Sequence, residues 1–327
     1  MRAAIIAAGH SVGDTVVENA EIAARLDVAP EWILNATGIQ RRHYASPGQA
    51  ASDLAAEAGK KALANADISA EDLDLIIVAT STPDELGPPT ACRVQYLLGV
   101  DQAEAYDVSA ACTGFLVGVS IARDRVVSRT AKHVLVVVGV EVYSRFINFR
   151  DRTTSVIFAD GAGAAVIAPS EAGMGIGPVL TRSLGQHADC VLIPAGGSRL
   201  GADSDTVGEG LHMIRMDGPT LRSQFGPLFI EAAHSIFRAA NIDAEDIDLF
   251  IPHQPNPRTL TMILPQLGIE PERTVFIGEN MGNIGAASIP TGISLSWGAN
   301  HIKPGYRVLS VSIGAGLSWG AALFDVR

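Results

Sequence analysis

A cysteine, a histidine and an asparagine in this chain each lie in a motif suited to acyl-transfer chemistry. Cys112 follows a strand-like segment and precedes an apolar, helix-like one, which predicts a thiol at a helix N-terminus. Unpaired amides and the helix macrodipole stabilise an anion there, so we expect a pKa below the roughly 8.5 of a free cysteine. Cys112 is then a candidate nucleophile. The alternative is a small packed core residue, the usual role of a lone free cysteine.

His253 and Asn283 are the candidates to assist the cysteine. His253 comes just after a predicted strand, where α/β folds gather catalytic groups, and its imidazole can exchange a proton near neutral pH. A structural histidine that caps the turn is the alternative. Asn283 can direct a side-chain N–H at a developing oxyanion. An asparagine beside glycine is more often a turn or helix cap, and Asn280 is a competing choice.

Two glycine-rich stretches, residues 158–167 and 312–322, share only their composition with nucleotide-binding loops. Neither opens a helix-like segment, so both predict close backbone packing beside strands. In the second stretch, the backbone amides of Gly314, Ala315 and Gly316 are candidates to line an oxyanion hole.

An internal repeat predicts the elements that position these residues. Residues 69–77 match residues 243–251, and each copy follows an alanine-rich, helix-like stretch. In each copy an acidic turn precedes an apolar run typical of a buried strand. We therefore expect two α/β halves, with residues 1–170 carrying the cysteine and residues 171–327 carrying the histidine and the asparagine.

Further apolar segments rich in β-branched residues predict more strands, so that two sheets lie between layers of helices. Cys112 and Asn283 follow the two copies of the repeat and are expected at related positions. Residues 173–216, which are rich in Gly, Ser and Asp, are expected to form a loop-rich excursion over the site. The additional strand predictions are residues 134–138, 156–158, 164–167 and 308–313.

Composition limits the class of protein. The chain has 35 acidic against 24 basic residues, a formal charge of −11, and lacks the basic run that a nucleic-acid-binding face needs. Three cysteines, Cys92, Cys112 and Cys190, form neither a disulfide framework nor a metal-ligand spacing, which indicates a reducing compartment. No apolar segment is typical of a signal peptide or a membrane span. We expect a cytoplasmic protein without nucleic-acid or membrane partners.

Together these motifs resemble those of the 3-oxoacyl-[acyl-carrier-protein] synthase III family, the initiating ketoacyl synthases of the thiolase superfamily, over almost the whole length. The resemblance implies a duplicated, five-layer αβαβα thiolase-like fold. It also implies a homodimer, an acyl-CoA primer and an acyl-carrier-protein partner. The matching segments are residues 31–33 (Glu-Trp-Ile), 37–42 (Thr-Gly-Ile-Gln-Arg-Arg), 110–115 (Ala-Ala-Cys-Thr-Gly-Phe), 151–154 (Asp-Arg-Thr-Thr) through 159–164, 252–256 (Pro-His-Gln-Pro-Asn), 282–290 and 314–321.

The resemblance further implies catalytic roles. Cys112 would take the acyl group from its thioester, and His253 and Asn283 would stabilise the enolate formed when a malonyl thioester loses carbon dioxide. That carbanion would attack the acyl-enzyme. The chemistry implied needs no metal and no cofactor besides the acyl-CoA and malonyl thioester substrates.

The same resemblance implies substrate-binding residues. Trp32 matches the family's adenine-stacking residue, Arg152 its partner across the CoA, and Arg258 a basic residue near the carrier-protein approach. The alternatives are that Trp32 packs against the protein and that Arg258 is a solvated surface residue. Ala36 stands where the family commonly has an arginine that meets CoA phosphates or the carrier protein. Gly87 stands where many relatives have a bulky residue that closes the acyl pocket across the dimer, which favours a longer, branched or aromatic primer.

Three hypotheses about function follow. The first is a decarboxylative condensing enzyme that makes a 3-oxoacyl thioester. The second is an acyltransferase that passes the acyl group from Cys112 to an alcohol or amine in specialised metabolism. The third is a non-enzymatic partner that shapes another synthase, for which a replaced nucleophile would be the sign. The intact set of Cys112, His253 and Asn283 favours the first, and the retained cysteine argues against the third. Release of carbon dioxide distinguishes the first from the second.

Overall fold

The secondary-structure elements alternate between strands and helices along the chain. The computed structural model describes residues 2–170 and 175–325. The strands are β1 (Arg2–Val12), β2 (Thr15–Glu18), β3 (Arg41–Tyr44), β4 (Leu75–Ala79), β5 (Glu104–Val108), β6 (Val134–Val142), β7 (Asp160–Ser170), β8 (Gly175–Ser183), β9 (Val191–Leu192), β10 (Arg215–Met216), β11 (Leu249–Phe250), β12 (Arg307–Gly314) and β13 (Ser318–Asp325). The helices are α1 (Asn19–Leu26), α2 (Pro30–Thr37), α3 (Ala51–Ala66), α4 (Thr90–Leu98), α5 (Gly114–Val127), α6 (Ser204–Gly208), α7 (Gly218–Ala240), α8 (Pro257–Leu267), α9 (Gly278–Met281) and α10 (Ser288–Gly298).

Two sheets share one pairing pattern, which is the structural form of the internal repeat. The first has the strand order β1-β7-β6-β4-β5 and the second β11-β12-β13-β8. In each sheet the strand of the repeat, β4 or β11, pairs parallel with β6 or β12. The next two pairings, through β7 to β1 and through β13 to β8, are antiparallel in both sheets. A parallel bridge from Phe250 to Thr274 takes the place of β5, so the duplication extends to the edge.

The helices complete five layers. Apolar residues of α3 and α4 pack against the outer face of the first sheet, and those of α7 and α8 pack against the second. Between the sheets lie α5 and α10. Because α5 touches both sheets it is apolar around most of its circumference, with Phe115, Leu116 and Val119 fully buried. The predicted αβαβα arrangement is confirmed. Among the described residues, no helix is both long and apolar enough to cross a membrane.

The glycine-rich stretches pack backbone against backbone, as predicted. A β-carbon added to Gly163 on β7 would lie 2.7 Å from the Pro290 side chain and 2.8 Å from the Thr291 nitrogen of α10. One added to Gly320 on β13 would lie 2.5 Å from the Leu180 carbonyl oxygen. Glycine is required at both positions by the close approach of neighbouring elements.

Two predictions about strands were wrong in detail. Residues 156–158 form no strand, although Phe158 makes an isolated bridge to Asn283. The expected loop-rich segment, residues 173–216, contains the nine-residue β8; residues 173 and 174 lie outside the described residues. Glycine and Pro178 conceal β8 in the sequence. The strand tolerates proline because, among the described residues, it pairs only with β13 and so lies at the edge of its sheet.

Candidate active site

Cys112 lies between β5 and α5, in a short 3-10 turn formed by Ala111–Thr113. The turn is strained, because Ala111 has a φ of +47°, in the region that side chains rarely adopt. The Ser312 hydroxyl on β12 donates a 2.7 Å hydrogen bond to the Cys112 carbonyl and holds the turn. Cys112 is a half-buried residue, and its turn directly precedes α5, which agrees with the predicted position at a helix N-terminus.

The predicted lowering of the thiol pKa is wrong. Burial raises the pKa of Cys112 to about 12, and the nearby Glu141 carboxylate adds to the shift. Hydrogen bonding with the Tyr143 hydroxyl lowers this pKa only in part. Loss of solvation of the thiolate, together with a buried acid beside it, therefore outweighs the helix N-terminus. The Cys112 side chain is therefore a neutral thiol at physiological pH.

His253 is held by the same strand as Cys112. Its backbone N–H donates to the Val311 carbonyl at 2.8 Å, one residue before the Ser312 that holds the cysteine. The imidazole is buried, and its Nδ1 lies 3.2 Å from the Ser288 hydroxyl. Burial lowers the pKa of His253 to about 3, an effect that hydrogen bonding with the Gly285 backbone offsets only in part. The imidazole is therefore neutral at physiological pH.

Asn283 is fixed through both its backbone and its side chain. Its N–H donates to the Ile157 carbonyl at 2.8 Å, and its carbonyl accepts from Ala159 at 3.0 Å. The side-chain Oδ1 accepts a 2.9 Å hydrogen bond from Gly285, which sets the orientation of the amide. The amide N–H groups are thus the ones that can be offered to a ligand. By contrast, Asn280, the competing candidate, is exposed and accepts a hydrogen bond from the Arg41 side chain.

Cys112 and Asn283 were expected at equivalent positions of the two halves, but in the structure Asn283 lies three residues before the position equivalent to Cys112. The second half repeats the cysteine's surroundings with a 3-10 turn, Gly285–Ala287, that directly precedes α10. The residue in the middle of that turn is Ala286, and Asn283 comes three positions before it. Asn283 therefore lies in the short connection between α9 and this turn.

The turn at Gly285–Ala287, together with Ser288, brings the candidate groups together. The Ser288 hydroxyl donates to the Gly285 carbonyl at 2.8 Å and also faces the His253 ring. A β-carbon added to Gly285, which has a φ of +55°, would lie only 2.6 Å from the Tyr143 hydroxyl oxygen and 3.0 Å from Glu141 Cγ. The turn also contacts the 3-10 turn of the cysteine.

Glu141 and Tyr143 were not identified from the sequence. The Glu141 carboxylate is fully buried and accepts hydrogen bonds from the Ser81 N–H at 3.1 and 3.2 Å and from the Thr82 hydroxyl at 3.2 Å. Burial, opposed by those hydrogen bonds, raises the pKa of Glu141 to about 8. The sequence signal for Glu141 was a single acidic residue within the otherwise apolar run of β6. Burying a carboxylate costs free energy unless it has hydrogen-bonding partners, so an acidic residue there indicates a specific role.

Of the three candidates for an oxyanion hole, Gly314 is the one that reaches Cys112. A β-carbon added to Gly314 would lie 2.6 Å from the Cys112 nitrogen. Gly314 is buried at the end of β12, whereas Ala315 and Gly316 are half-buried in the turn that follows. Gly316 adopts a φ of +125°, which lets the chain reverse into β13.

The predicted substrate-binding residues lie at the surface. Trp32 is 42% exposed on α2, and the exposed Arg152 donates to the Leu26 carbonyl at the end of α1 at 3.1 Å. Arg258 on α8 donates to the Asn35 carbonyl, next to Ala36. A positive charge therefore stands beside the position at which the family arginine is missing.

Gly87 lies apart from these residues, in an exposed loop between β4 and α4. Within the chain, a β-carbon added there would meet nothing within 4 Å. Because α4 packs on β5, this loop borders the free edge of the first sheet.

The fold and site define a thiolase-like, acyl-transferring condensing enzyme. The model of "3-Oxoacyl-[acyl-carrier-protein (ACP)] synthase III" matches residues 106–185, and that of its C-terminal part matches residues 237–326. The beta-ketoacyl-[acyl-carrier-protein] synthase III of Syntrophomonas wolfei is 40% identical over 323 residues, covering 99% of this chain and 97% of the relative. The chain belongs to the 3-oxoacyl-[acyl-carrier-protein] synthase III family.

Solved structures agree with this membership. The 3-oxoacyl-[acyl-carrier-protein] synthase III of Aquifex aeolicus is 33% identical and superimposes with a TM-score of 0.90, covering 99% of this chain and all of that one. The priming beta-ketosynthase of the R1128 polyketide biosynthetic pathway is 30% identical, with a TM-score of 0.91 and coverage of 99% and 96%. Both likenesses extend over the whole fold.

Proposed function

We propose that the protein makes a 3-oxoacyl thioester by condensing an acyl thioester primer with a malonyl thioester. The observation that carries the proposal is the single turn at which the His253 imidazole and the Asn283 amide are both held. Two neutral hydrogen-bond donors in a buried site suit an enolate oxygen, which must gain charge without a permanent cation. The names of the curated relatives support the same reaction.

In the first step the Cys112 sulfur attacks the carbonyl carbon of the primer, and the thiol proton passes to Nε2 of His253. Because the Ser288 hydroxyl donates to the Gly285 carbonyl, its oxygen can accept from Nδ1–H, which leaves a lone pair on Nε2. The high pKa of the thiol and the low pKa of the imidazole disfavour a resting ion pair, so the proton moves as the sulfur attacks. The imidazolium then protonates the departing thiolate.

In the second step the malonyl thioester loses carbon dioxide, and the electron pair of the broken C–C bond forms an enolate. Asn283 donates its amide N–H to the enolate oxygen. His253 donates from Nε2 after its tautomer changes by exchange with solvent, in which Nδ1 loses its proton and Nε2 gains one, and the Ser288 hydroxyl turns from the Gly285 carbonyl to donate to Nδ1. The enolate carbon attacks the acyl-enzyme carbonyl. The Cys112 thiolate leaves and takes up a proton from solvent, which restores the enzyme. The backbone N–H groups of Cys112 and Gly314 are the proposed donors to the oxyanion of each tetrahedral intermediate.

The proposed substrates are anionic, and the surface residues fit such ligands. Arg152 donates to the Leu26 carbonyl of α1 and Arg258 to the Asn35 carbonyl of α2, and both supply positive charge. Trp32 on α2 is exposed, so its ring can stack on an adenine. Relatives are named for the acyl carrier protein, which is the proposed partner here. The proposed primer is not acetyl, because Gly87 provides no bulk to close the acyl pocket. The reaction proposed uses no cofactor beyond the two thioesters.

We also propose a homodimer built on β5. This strand pairs only with β4, and within the described part of the chain its outer edge meets no other strand. Tyr106 and Val108 leave it partly apolar, and Tyr96 and Leu86 nearby are 82% and 87% exposed. Such an edge is a template for pairing with a second copy, and a two-fold axis pairs it antiparallel. Light scattering during gel filtration should give about twice the 34.2 kDa of one chain, whereas a monomer mass would contradict the proposal.

The reaction type is tested by a balance between carbon dioxide and product. The protein is incubated with a panel of acyl-CoA primers and a malonyl-carrier protein, and both the released carbon dioxide and the carrier-bound product are measured. One carbon dioxide per 3-oxoacyl product, dependent on the primer, is expected. Primer consumption without carbon dioxide, together with acylation of an added alcohol or amine, would instead establish the acyltransferase.

A further inference from the structure

The Tyr143 side chain is packed rigidly beside the nucleophile. The residue directly follows β6, is 5% exposed, and its ring lies 4.6 Å from that of Phe158. Its hydroxyl reaches the Gly285 turn, where only the absence of a β-carbon leaves room for the oxygen. The hydroxyl is therefore held in one place by packing on two sides.

This hydroxyl connects the buried acid to the cysteine. The hydroxyl oxygen and Glu141 Cγ lie 2.6 Å and 3.0 Å from the position of a β-carbon added to Gly285, so the two side chains adjoin. Hydrogen bonding with the Tyr143 side chain lowers the pKa of both Glu141 and Cys112. Burial and the neighbouring Glu141 and Cys112 raise the pKa of Tyr143 well above its usual value, so the phenol keeps its proton. A phenol that keeps its proton can donate to only one acceptor at a time.

The groups that face Glu141 are few. Cys112 and Tyr143 are titratable neighbours of Glu141, whereas Ser81 and Thr82 offer neutral donors just after β4. Asp160 on the adjacent β7 is turned away, since its oxygens accept from Ser144 and from the Ala45 N–H. Among the described residues Glu141 forms no salt bridge, and its negative charge raises the pKa of the Cys112 thiol.

We propose that Tyr143 is a positioning residue for the nucleophile: its hydroxyl donates a hydrogen bond to the Cys112 sulfur as the thiol loses its proton, and the protonation of Glu141 sets whether that hydroxyl is available. This inference rests on the proposed role of Cys112 as the nucleophile. With Glu141 protonated, sulfur is the acceptor that gains negative charge and attracts the phenolic O–H. With Glu141 ionised, the carboxylate competes for the same O–H and repels the thiolate.

The test measures how fast iodoacetamide alkylates Cys112, by mass mapping of the Cys112 peptide from about pH 6 to about pH 10. Because the thiol pKa lies far above this range, the wild-type rate should rise about tenfold per pH unit at first. Above about pH 8 the rise should flatten as Glu141 ionises. Glu141→Gln should keep the steep rise throughout. Tyr143→Phe should be about tenfold slower than wild type below that pH, from loss of a hydrogen bond to a charged acceptor.

The matched control is Tyr44→Phe, which removes another buried phenolic hydroxyl. Tyr44 makes no side-chain hydrogen bond to the described residues, so this variant should alkylate at the wild-type rate. Equal rates in Tyr143→Phe and wild type would overturn the inference. If Tyr143→Phe does not fold, the deciding variant is Glu141→Gln. An alkylation rate that flattens above about pH 8 in this variant, as in the wild type, would overturn the inference. Iodoacetamide reacts with the thiol without any thioester. If the expected alkylation pattern is found but no acyl group is loaded on Cys112, the result contradicts the proposed function and not this inference.

Discussion

Cys112→Ser is expected to abolish acyl loading, with a rate loss on the order of a thousandfold or more. The neutral thiol already needs its proton removed during attack, and a hydroxyl holds its proton more tightly still. With a pKa of about 3, His253 is too weak a base to compensate. Intact-mass spectrometry after incubation with short, branched, long and aromatic acyl-CoAs measures the loading. The wild-type protein should gain one acyl mass, which also identifies the preferred primer.

Cys92→Ser is the matched control for this variant. Cys92 is a half-buried thiol on α4, similar in exposure to Cys112 but outside the site, so its loss should leave loading unchanged. An acyl adduct that persists in Cys112→Ser would place the nucleophile elsewhere. If the wild-type protein accepts no acyl-CoA, the same comparison with acyl groups on a carrier protein decides whether Cys112 is loaded at all.

The fold could be predicted because the internal repeat is visible in short stretches of the sequence. Residues 69–77 and 243–251 both form a 3-10 turn followed by a strand of their sheet, and the strands pair with the same neighbours. Hydrophobic runs predicted the inner strands well. The edge strand β8 was missed because a half-covered strand with glycine and proline carries little of the alternation on which such predictions depend.

Site residues could be predicted only where the residue type is itself reactive or able to donate hydrogen bonds. Cys112, His253 and Asn283 stand out by type and by their place after strands, and the structure gathers them around two contacting turns. Glu141 lies in an apolar strand and Tyr143 just after it, so their meeting with the cysteine depends on pairing between distant segments. The direction of the thiol pKa was missed for the same reason, because burial and a buried acid are properties of the folded chain.

Gly314→Ala is expected to slow acyl loading about a hundredfold to a thousandfold, the effect of losing one oxyanion donor. The added β-carbon would lie 2.6 Å from the Cys112 nitrogen and 3.1 Å from the Ala111 β-carbon. Because the Ala111 turn is already strained and fixed by Ser312, it has little freedom to retreat. Gly314 itself lies in a strand without a positive φ, so alanine costs its backbone nothing. Single-turnover loading followed by mass spectrometry measures the rate.

Gly197→Ala is the control, since a β-carbon there meets nothing within 4 Å and the residue is exposed. It should load at the wild-type rate. Thermal unfolding of both variants separates chemistry from stability, because a β-carbon 2.6 Å from a backbone nitrogen with little freedom to move also destabilises the fold. Wild-type loading by folded Gly314→Ala would mean that the Cys112 amide does not take part in stabilising the oxyanion.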